Sequence, residues 1–406
     1  MVTVLSWIWL GLGVLVLGVW AARMVLVGSA KRSRTILTER PAIMQPHLFP
    51  RVSVLVAAKD EQENIETCVR TLLSQDFPAF EVVVADDRSA DRTPAILDGL
   101  QREFPTRLKV LTIQSLEEGW FGKCHAMRAA IRAADPVSEW ILMTDADCRF
   151  TSRQALRRGV EEALTSGSDF LTVIPQLDAP TWWERTVQPI CALVLMYWFQ
   201  PQRVNDPRKP TAYANGAFML MSRRCYVAIG GHEAVRDQMN EDIQLARIAK
   251  DGGWRLRVVE NEGLYRTRMY ATFGQAWRGW SRIFCGALRT PAKAGAAVSL
   301  VFTFAMLPLF ATVTSMFFLD SAMGRVSLAV WGAALLTEQV VVCRFYAMMK
   351  VGRAWSLLYP AAAVVMVGIL LSACLKTMGA TSTTWRSTTY RAGKPVSPST
   401  TSAAEP

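Results

Sequence analysis

The residues best able to do chemistry are carboxylates at the ends of apolar runs. Residues 140–144 read as a buried strand that stops at Asp145-Ala-Asp147. Past a strand end the chain turns, so both carboxylates can face a crevice outside the carboxyl edge of an α/β sheet. Paired hard oxygens there suit Mg2+ or Mn2+, which takes one or two carboxylates together with substrate phosphates. Aspartate is also an ordinary turn residue, and this pair alone reads as readily as a solvated loop. Two further apolar runs end in acid, however: residues 52–58 before Asp60-Glu61, and residues 81–85 before Asp86-Asp87. Three such loops on one sheet edge can hold ribose hydroxyls, a base edge and a metal, which points to a nucleotide site. Glu118-Gly-Trp120-Phe-Gly122-Lys123 sets glycines, an aromatic and a lysine at a helix N-terminus, a phosphate-facing combination. His125 just beyond reads as a helix-face residue. Asn240-Glu241-Asp242 opens another helix, where the helix dipole favours acids for capping alone.

The elements that must position these residues alternate in type. The 52–58 run leads to a helix with Ile65, Cys68, Val69, Leu72 and Leu73 on one face, opened by an Asp60/Glu63 capping box. After the second strand, Thr93-Pro94 reads as an N-cap and first helical position. Residues 108–113 are a third strand, 123–134 a helix and 140–144 the fourth strand. Alternation of this kind predicts a mostly parallel sheet with helices on both faces. No G-x-G-x-x-G follows any strand, against a dinucleotide-binding domain. Beyond Asp147, residues 152–165 read as a helix, 170–174 as a strand and 213–221 as another strand. Residues 182–199 are apolar but interrupted by Glu184, Arg185 and Pro189, so they read as an interfacial or domain-covering helix.

The chain has 406 residues, a net charge of +11 and 51% hydrophobic residues. Its eight cysteines show neither CxxC spacing nor a Cys/His cluster, so neither zinc nor a disulfide framework is expected. Residues 1–22 carry no charged side chain and the apolar run continues to Val27, enough to span a bilayer. A basic leader and a small-x-small cleavage site are lacking, which favours an uncleaved anchor over a signal peptide. Lys31, Arg32 and Arg34 place the following segment in the cytoplasm. Three more apolar stretches lie at about 296–319, 326–349 and 355–375. Just before them, residues 270–288 interleave arginine with tryptophan, as a helix at headgroup level would. The basic residues flank apolar spans rather than forming one stripe, so the charge speaks for a membrane and not for nucleic acid. Four full spans from an outside N-terminus would leave the tail outside, whereas Lys376, Arg386, Arg391 and Lys394 favour the cytoplasm. One of the last three stretches is therefore expected to be re-entrant or interfacial, foremost 326–349 with its Glu338 and Arg344. The Ser-, Thr- and Pro-rich tail is expected to be disordered after about Ala392.

With these pieces in order the chain resembles a membrane-bound family 2 glycosyltransferase of the GT-A fold, from about residue 51 to 289. The stretch from Val54 to Glu61 matches that family's opening strand and first acidic loop, and Asp86-Asp87-Arg-Ser-Ala-Asp91 its second nucleotide loop. Asp145-Ala-Asp147 matches its metal-binding DxD, and Glu241-Asp242 the acidic pair whose aspartate is the general base. The Gly119–Lys123 turn, Asn215-Gly216 and Gly230-Gly231 resemble bacterial enzymes that glycosylate carotenoid or hopanoid-type lipids. Trp385-Arg386 with Tyr390 is similar to a tail seen there and in ceramide glucosyltransferases. Gln275-Ala-Trp277-Arg278-Gly-Trp280 departs from the family's Gln-x-x-Arg-Trp by one position.

The resemblance implies an α/β domain with a Rossmann-like, mostly parallel sheet at 51–269, cytoplasmic and held at the inner membrane. Around it would lie an N-terminal transmembrane helix (1–28), a linker (29–50), an interfacial amphipathic helix (270–291), about three C-terminal membrane helices (296–375) and a polar tail (376–406). It implies metal-dependent, inverting transfer from a nucleotide-sugar, UDP-linked by resemblance, to the hydroxyl or carboxyl of a lipid. Asp147 with Asp145 would hold Mg2+ or Mn2+, and Asp242 would act as base with Glu241 as its fallback. Ala58, Glu61, Asp86, Asp87, Lys123, Asp145, Gly216 and Gln275 would bind substrate, with Arg278 by the diphosphate and Trp280 at the acceptor mouth. Two other readings stand beside it. A processive polysaccharide synthase would need a translocation channel, for which four apolar stretches are few. A non-catalytic nucleotide-binding scaffold would not need Asp145, Asp147 and Asp242 intact.

Overall fold

The computed structural model describes residues 2–385, 388–391 and 394–395. A 32-residue helix, α1 (Val2–Ser33), leads to a two-residue strand, β1 (Ile36–Leu37). Strands and helices then alternate as β2 (Val52–Ala58), α2 (Ile65–Leu73), β3 (Phe80–Asp87), α3 (Thr93–Glu103), β4 (Leu108–Ile113), α4 (Gly122–Ala133) and β5 (Trp140–Asp145). Less regular pieces follow: β6 (Cys148–Arg149), α5 (Ala155–Ser166), β7 (Phe170–Ile174), β8 (Gln176–Leu177), α6 (Trp182–Trp198), α7 (Pro201–Asn205) and β9 (Met219–Ser222). Next come α8 (Arg223–Ala228), α9 (Glu241–Asp251), β10 (Leu256–Asn261) and β11 (Arg266–Thr267). Helices α10 (Phe273–Leu288), α11 (Pro291–Val301), α12 (Leu307–Ser315), α13 (Ala322–Met348) and α14 (Tyr359–Thr377) precede the short strands β12 (Ser382–Trp385), β13 (Thr388–Arg391) and β14 (Lys394–Pro395). The chain divides into two compact units, one of residues 1–34, 179–198 and 270–380, the other of residues 35–178, 199–269 and 381–406.

The second unit is built on an eight-stranded sheet in the order β1-β10-β7-β9-β5-β2-β3-β4, parallel throughout except for β9. All seven residues of β2 are buried, as expected of a central parallel strand covered on both faces. Because side chains alternate, Val54 and Val56 enter one apolar layer with Ile65, Leu72 and Phe218. Leu55 and Ala57 enter the other with Met127, Ile141 and Leu245. Register then fixes the site: Ala58 pairs with Asp86, and Ala57 with Asp145. The acidic loops after β2, β3 and β5 thus leave one edge of one sheet.

Several local expectations change. Asp60 does not cap α2. It has a left-handed φ of 52°, and its Oδ1 accepts from the Ala90 N–H at 2.8 Å. Thr93 does not cap α3 either, because Asp91 Oδ1 accepts the Thr93 N–H at 2.9 Å. The strand expected over 213–221 shortens to β9. Upstream of it, the Asn215 N–H bonds Thr172 Oγ1 at 3.0 Å and Asn215 Oδ1 takes the Ala217 N–H at 3.0 Å, a looped path that no ladder could keep.

In the first unit, α1 packs on α13, with the Trp9 and Trp331 ring centroids 5.1 Å apart. Trp20 Nε1 donates to Phe304 O at 3.0 Å. Among the described residues four helical stretches are long and apolar enough to cross a membrane: Val4–Val25, Pro291–Phe318, Ala322–Met348 and Arg353–Thr377. The stretch expected to be re-entrant or interfacial, 326–349, falls almost entirely in the unbroken 27-residue α13 (Ala322–Met348). Within Pro291–Phe318 a wider π-helical turn spans Phe302–Met306. Helix α6 clusters with these apolar helices, and Tyr346 OH reaches Thr186 O at 2.9 Å. As expected, residues 182–198 are helical, and Glu184 closes the start of the helix, accepting from Thr181 N and Oγ1 at 2.9 and 2.6 Å. The expectation for the tail past Ala392 falls almost wholly outside the described residues, as does Arg386.

The segment after α1 is tied to the sheet unit by a buried ion pair. Arg158 and Glu161, 3% and 0% exposed, bond each other on α5. Arg158 Nε also donates to Thr38 O at 2.9 Å, and Glu161 Oε1 accepts the Ile43 N–H at 3.0 Å. Glu161→Ala leaves a buried guanidinium without its counter-charge, a defect of about 3–5 kcal/mol. We expect a lower melting temperature in detergent and faster proteolysis near residues 38–43; an unchanged melt would remove the ion pair from that role.

Candidate active site

The first two acidic loops are stitched together by hydrogen bonds. The Asp60 N–H bonds Ser89 Oγ at 2.9 Å, the Glu61 N–H bonds Thr93 Oγ1 at 2.8 Å, and the Gln62 N–H bonds Asp91 Oδ2 at 3.0 Å. Buried Lys59 donates to Asp87 O and Arg88 O, both at 3.1 Å, clamping the second loop from beneath. No sequence pattern had marked Lys59; it follows a strand and looks like any surface lysine. Glu61 accepts from Asn64 Nδ2 at 3.0 Å, and Arg88 bonds both Asp87 oxygens, at 2.8 and 3.0 Å. Asp86 is 1% exposed, and among the described residues its Oδ1 has no hydrogen-bond partner. Burial pushes its carboxyl above the usual range, against hydrogen bonds from Ser89.

The third loop meets α4 and α9. Lys123, on the first turn of α4, places Nζ 2.6 Å from Asp145 Oδ1 and 2.6 Å from Glu241 Oε1. Glu241 is buried, whereas the Lys123 and Asp145 side chains are about a third exposed, at 31% and 35%. Asp242 accepts the Gly216 N–H on Oδ2 at 3.1 Å and the Ile243 N–H on Oδ1 at 2.7 Å. Burial, and then the like charge of Glu241, pushes the Asp242 carboxyl up to about 7, against the pull of Lys123 and the Ile243 N–H. Two glycines make this crowding possible. A Cβ on Gly216 would stand 2.8 Å from Lys123 Nζ and 3.2 Å from Asp145 Oδ2, and one on Gly122 only 2.4 Å from Asp87 Oδ2.

The turn before α4 is held by packing. Trp120, Phe121 and Cys124 form a small buried cluster with Leu116 and Met239 against them. The Phe121 N–H donates to Arg236 O at 2.7 Å, tying this turn to the loop that precedes α9. His125 is a packed helix-face residue, 3.3 Å from Glu117 through Nε2 and edge-on to Trp120. His232 is structural as well, buried against Tyr226 OH at 2.9 Å and kept neutral because burial lowers its pKa to about 3.

The structure therefore brings Lys123, Asp145, Gly216, Glu241 and Asp242 into one cluster, with Ala58, Glu61, Asp86 and Asp87 along the same sheet edge. Gln275, Arg278 and Trp280 lie on α10 of the other unit. There Gln275 closes a capping box, its Oε1 taking the Ala271 and Thr272 N–H groups at 3.0 and 3.3 Å. Arg278 is exposed, while Trp280 is buried and stacked on Phe284 with centroids 5.9 Å apart. Asp145 and Asp147 are both partly exposed at the end of β5, and their hard oxygens suit Mg2+ or Mn2+ completed by phosphates. Among the described residues no three His, Cys, Asp or Glu side chains form a ready cage for an ion.

A beta-monoglucosyldiacylglycerol synthase from Synechocystis sp. is 31% identical over 203 residues, 48% of this chain and 40% of that protein. A GalNAc(5)-diNAcBac-PP-undecaprenol beta-1,3-glucosyltransferase from Campylobacter jejuni is 31% identical over 71 residues, 18% of this chain and 23% of its own. The matches thus span well under half of these relatives' lengths. A mannosyltransferase from Pyrobaculum calidifontis, solved with GDP-Man and Mn2+, matches 91% of this chain and 99% of its own with a TM-score of 0.52 at 19% identity, a likeness of fold. The family described as "Glycosyltransferase like family 2" matches residues 50–281, more than half of the chain, and the protein belongs to that family.

Proposed function

We propose that the protein transfers a sugar from a nucleoside-diphosphate donor, UDP-linked in the first instance, to a lipid hydroxyl or carboxyl at the cytoplasmic face of the inner membrane, with inversion. The observation that carries this reading is the Asp242 carboxylate. Two backbone N–H groups orient it, and its pKa is moved to about 7 within the cluster that contains Asp145. An acceptor hydroxyl is a poor nucleophile near neutral pH, and a positioned base of matched pKa removes that barrier. Lipid acceptors accord with the four apolar stretches and with the diacylglycerol and undecaprenol in the relatives' names.

Each residue then has one task. Asp242 takes the proton of the acceptor as its oxygen attacks the anomeric carbon from the face opposite the leaving diphosphate. The orphaned Asp86 Oδ1 accepts from the donor's base or ribose, and Lys59 keeps that loop in place. Lys123 offers positive charge to the diphosphate. Asp145 and Asp147 would hold Mg2+ or Mn2+, which supplies Lewis-acid stabilisation of the leaving group when bound.

The test offers UDP-, GDP- and dTDP-sugars to the purified chain with total bacterial lipid extract, in Mn2+ or Mg2+ and in chelator. A metal-dependent glycolipid is expected, and Asp242→Asn should lower kcat by about 10^2- to 10^4-fold while leaving donor binding intact. Failure to consume or bind any sugar nucleotide would refute the enzyme reading and leave the scaffold reading.

The pH profile is a second check. The base must be ionised, so kcat/KM should fall as pH drops below about 7, roughly tenfold per unit. Glu241→Gln removes a charge that raises the Asp242 pKa, so the acid limb should move to lower pH. Burial, the larger cause, should hold that limb above the ordinary carboxylate range. An unmoved limb would assign it to another group.

A further inference from the structure

We propose that Lys123 is a tethered counter-cation that holds Asp145 and Glu241 together until a divalent cation and a nucleoside diphosphate arrive, so that the two ligands bind cooperatively. The diphosphate in this statement rests on the glycosyltransferase reading; the competition with the cation does not. Nζ lies 2.6 Å from an oxygen of each carboxylate, in close ion-pair contact with both. It thus sits on one of the two aspartates best placed to bind the ion. Gly216 leaves the space it occupies, since a Cβ there would come within 2.8 Å of Nζ.

The consequence is an exchange. A divalent ion approaching Asp145 meets the ammonium's charge in a partly buried cleft, where screening is weak. On its own it must displace Lys123 and leave that charge without a partner. A diphosphate bound beside the ion offers Lys123 a new anion within reach of its four-carbon stem. The ammonium then moves from carboxylate to phosphate, and Asp145 is released to the metal. Each ligand favours the other's binding, and the coupling is reciprocal. Glu241 gains a role distinct from proton transfer: it anchors the resting position of Lys123.

The experiment measures Mn2+ binding to the full chain in detergent from the electron paramagnetic resonance signal of free Mn2+, without nucleotide and then with saturating UDP or GDP. The doubly substituted D145N/D147N chain gives the background. Lys123→Met should bind Mn2+ alone more tightly than wild type, by a factor in the range of about 5- to 150-fold typical of coupled sites. The further gain in Mn2+ affinity on adding nucleoside diphosphate should be smaller in that variant. Lys123→Arg, which keeps the charge, should stay near wild type. Lys123→Gln, whose amide can still bond Asp145 without the charge, should move with Lys123→Met and decides the matter if the methionine variant melts early. Mn2+ affinity unchanged or weaker in a folded neutral variant overturns the proposal. The metal-alone arm involves no turnover, so its failure leaves sugar transfer standing, and absence of transfer by wild type leaves the Mn2+ comparison readable.

Discussion

The ammonium of Lys123, shared between Asp145 and Glu241, is the interaction on which the site depends. Asp145, Glu241 and Asp242 come from a strand end and a helix start, and with Asp147 nearby they would repel strongly in a partly buried cleft. A cation between them lets β5 and α9 close on one another. The fold delivers that cation from α4, whose start is fixed by the Trp120–Phe121–Cys124 cluster and by the Phe121–Arg236 bond. Every step upstream is generic packing. The last step needs Gly216, because only a residue without Cβ leaves the ammonium its place.

The sheet supplies the other half of the argument. Continuous apolar strands fix register firmly when both faces are buried, since a one-residue slip would turn every side chain to the wrong layer. With Ala57 opposite Asp145 and Ala58 opposite Asp86, three acidic loops must emerge together. The strands therefore place the chemistry, and the loops only refine it.

That division explains what could be read from the sequence. Strands β2 and β5 and helix α2 are legible because burial on both faces, or on one helical stripe, imposes its own period on the residues. The acidic loops are legible because they follow those strands directly. Lys59 and the Lys123–Glu241 contact were not, since both join segments far apart in the chain, and a lysine has no local signature of its partner. The helix over 182–198 was legible despite Glu184, which closes the helix's own start through contacts with Thr181. The strand expected over 213–221 was cut short because Thr172 and Asn215 side chains claim backbone N–H groups that a ladder would have used.

Several departures from local ease lie along the same edge. Asp60 and Arg88 both hold left-handed φ values, 52° and 57°, in the two loops joined by Ser89 and Asp91. Non-glycine residues in that region typically cost about 1–3 kcal/mol each and persist where the surroundings over-determine them. A buried acceptor left without a donor, such as Asp86 Oδ1, costs a similar amount, about 1–3 kcal/mol. The Asp242 carboxyl is held away from its ordinary range a short distance along the same edge. A sequence selected for stability alone would relax these positions, for instance with glycine at 60 and 88 or an apolar residue at 86. Their coincidence on one strand edge is what a site shaped for a ligand requires. The donor's own hydrogen bonds would then offset what the loop gives up.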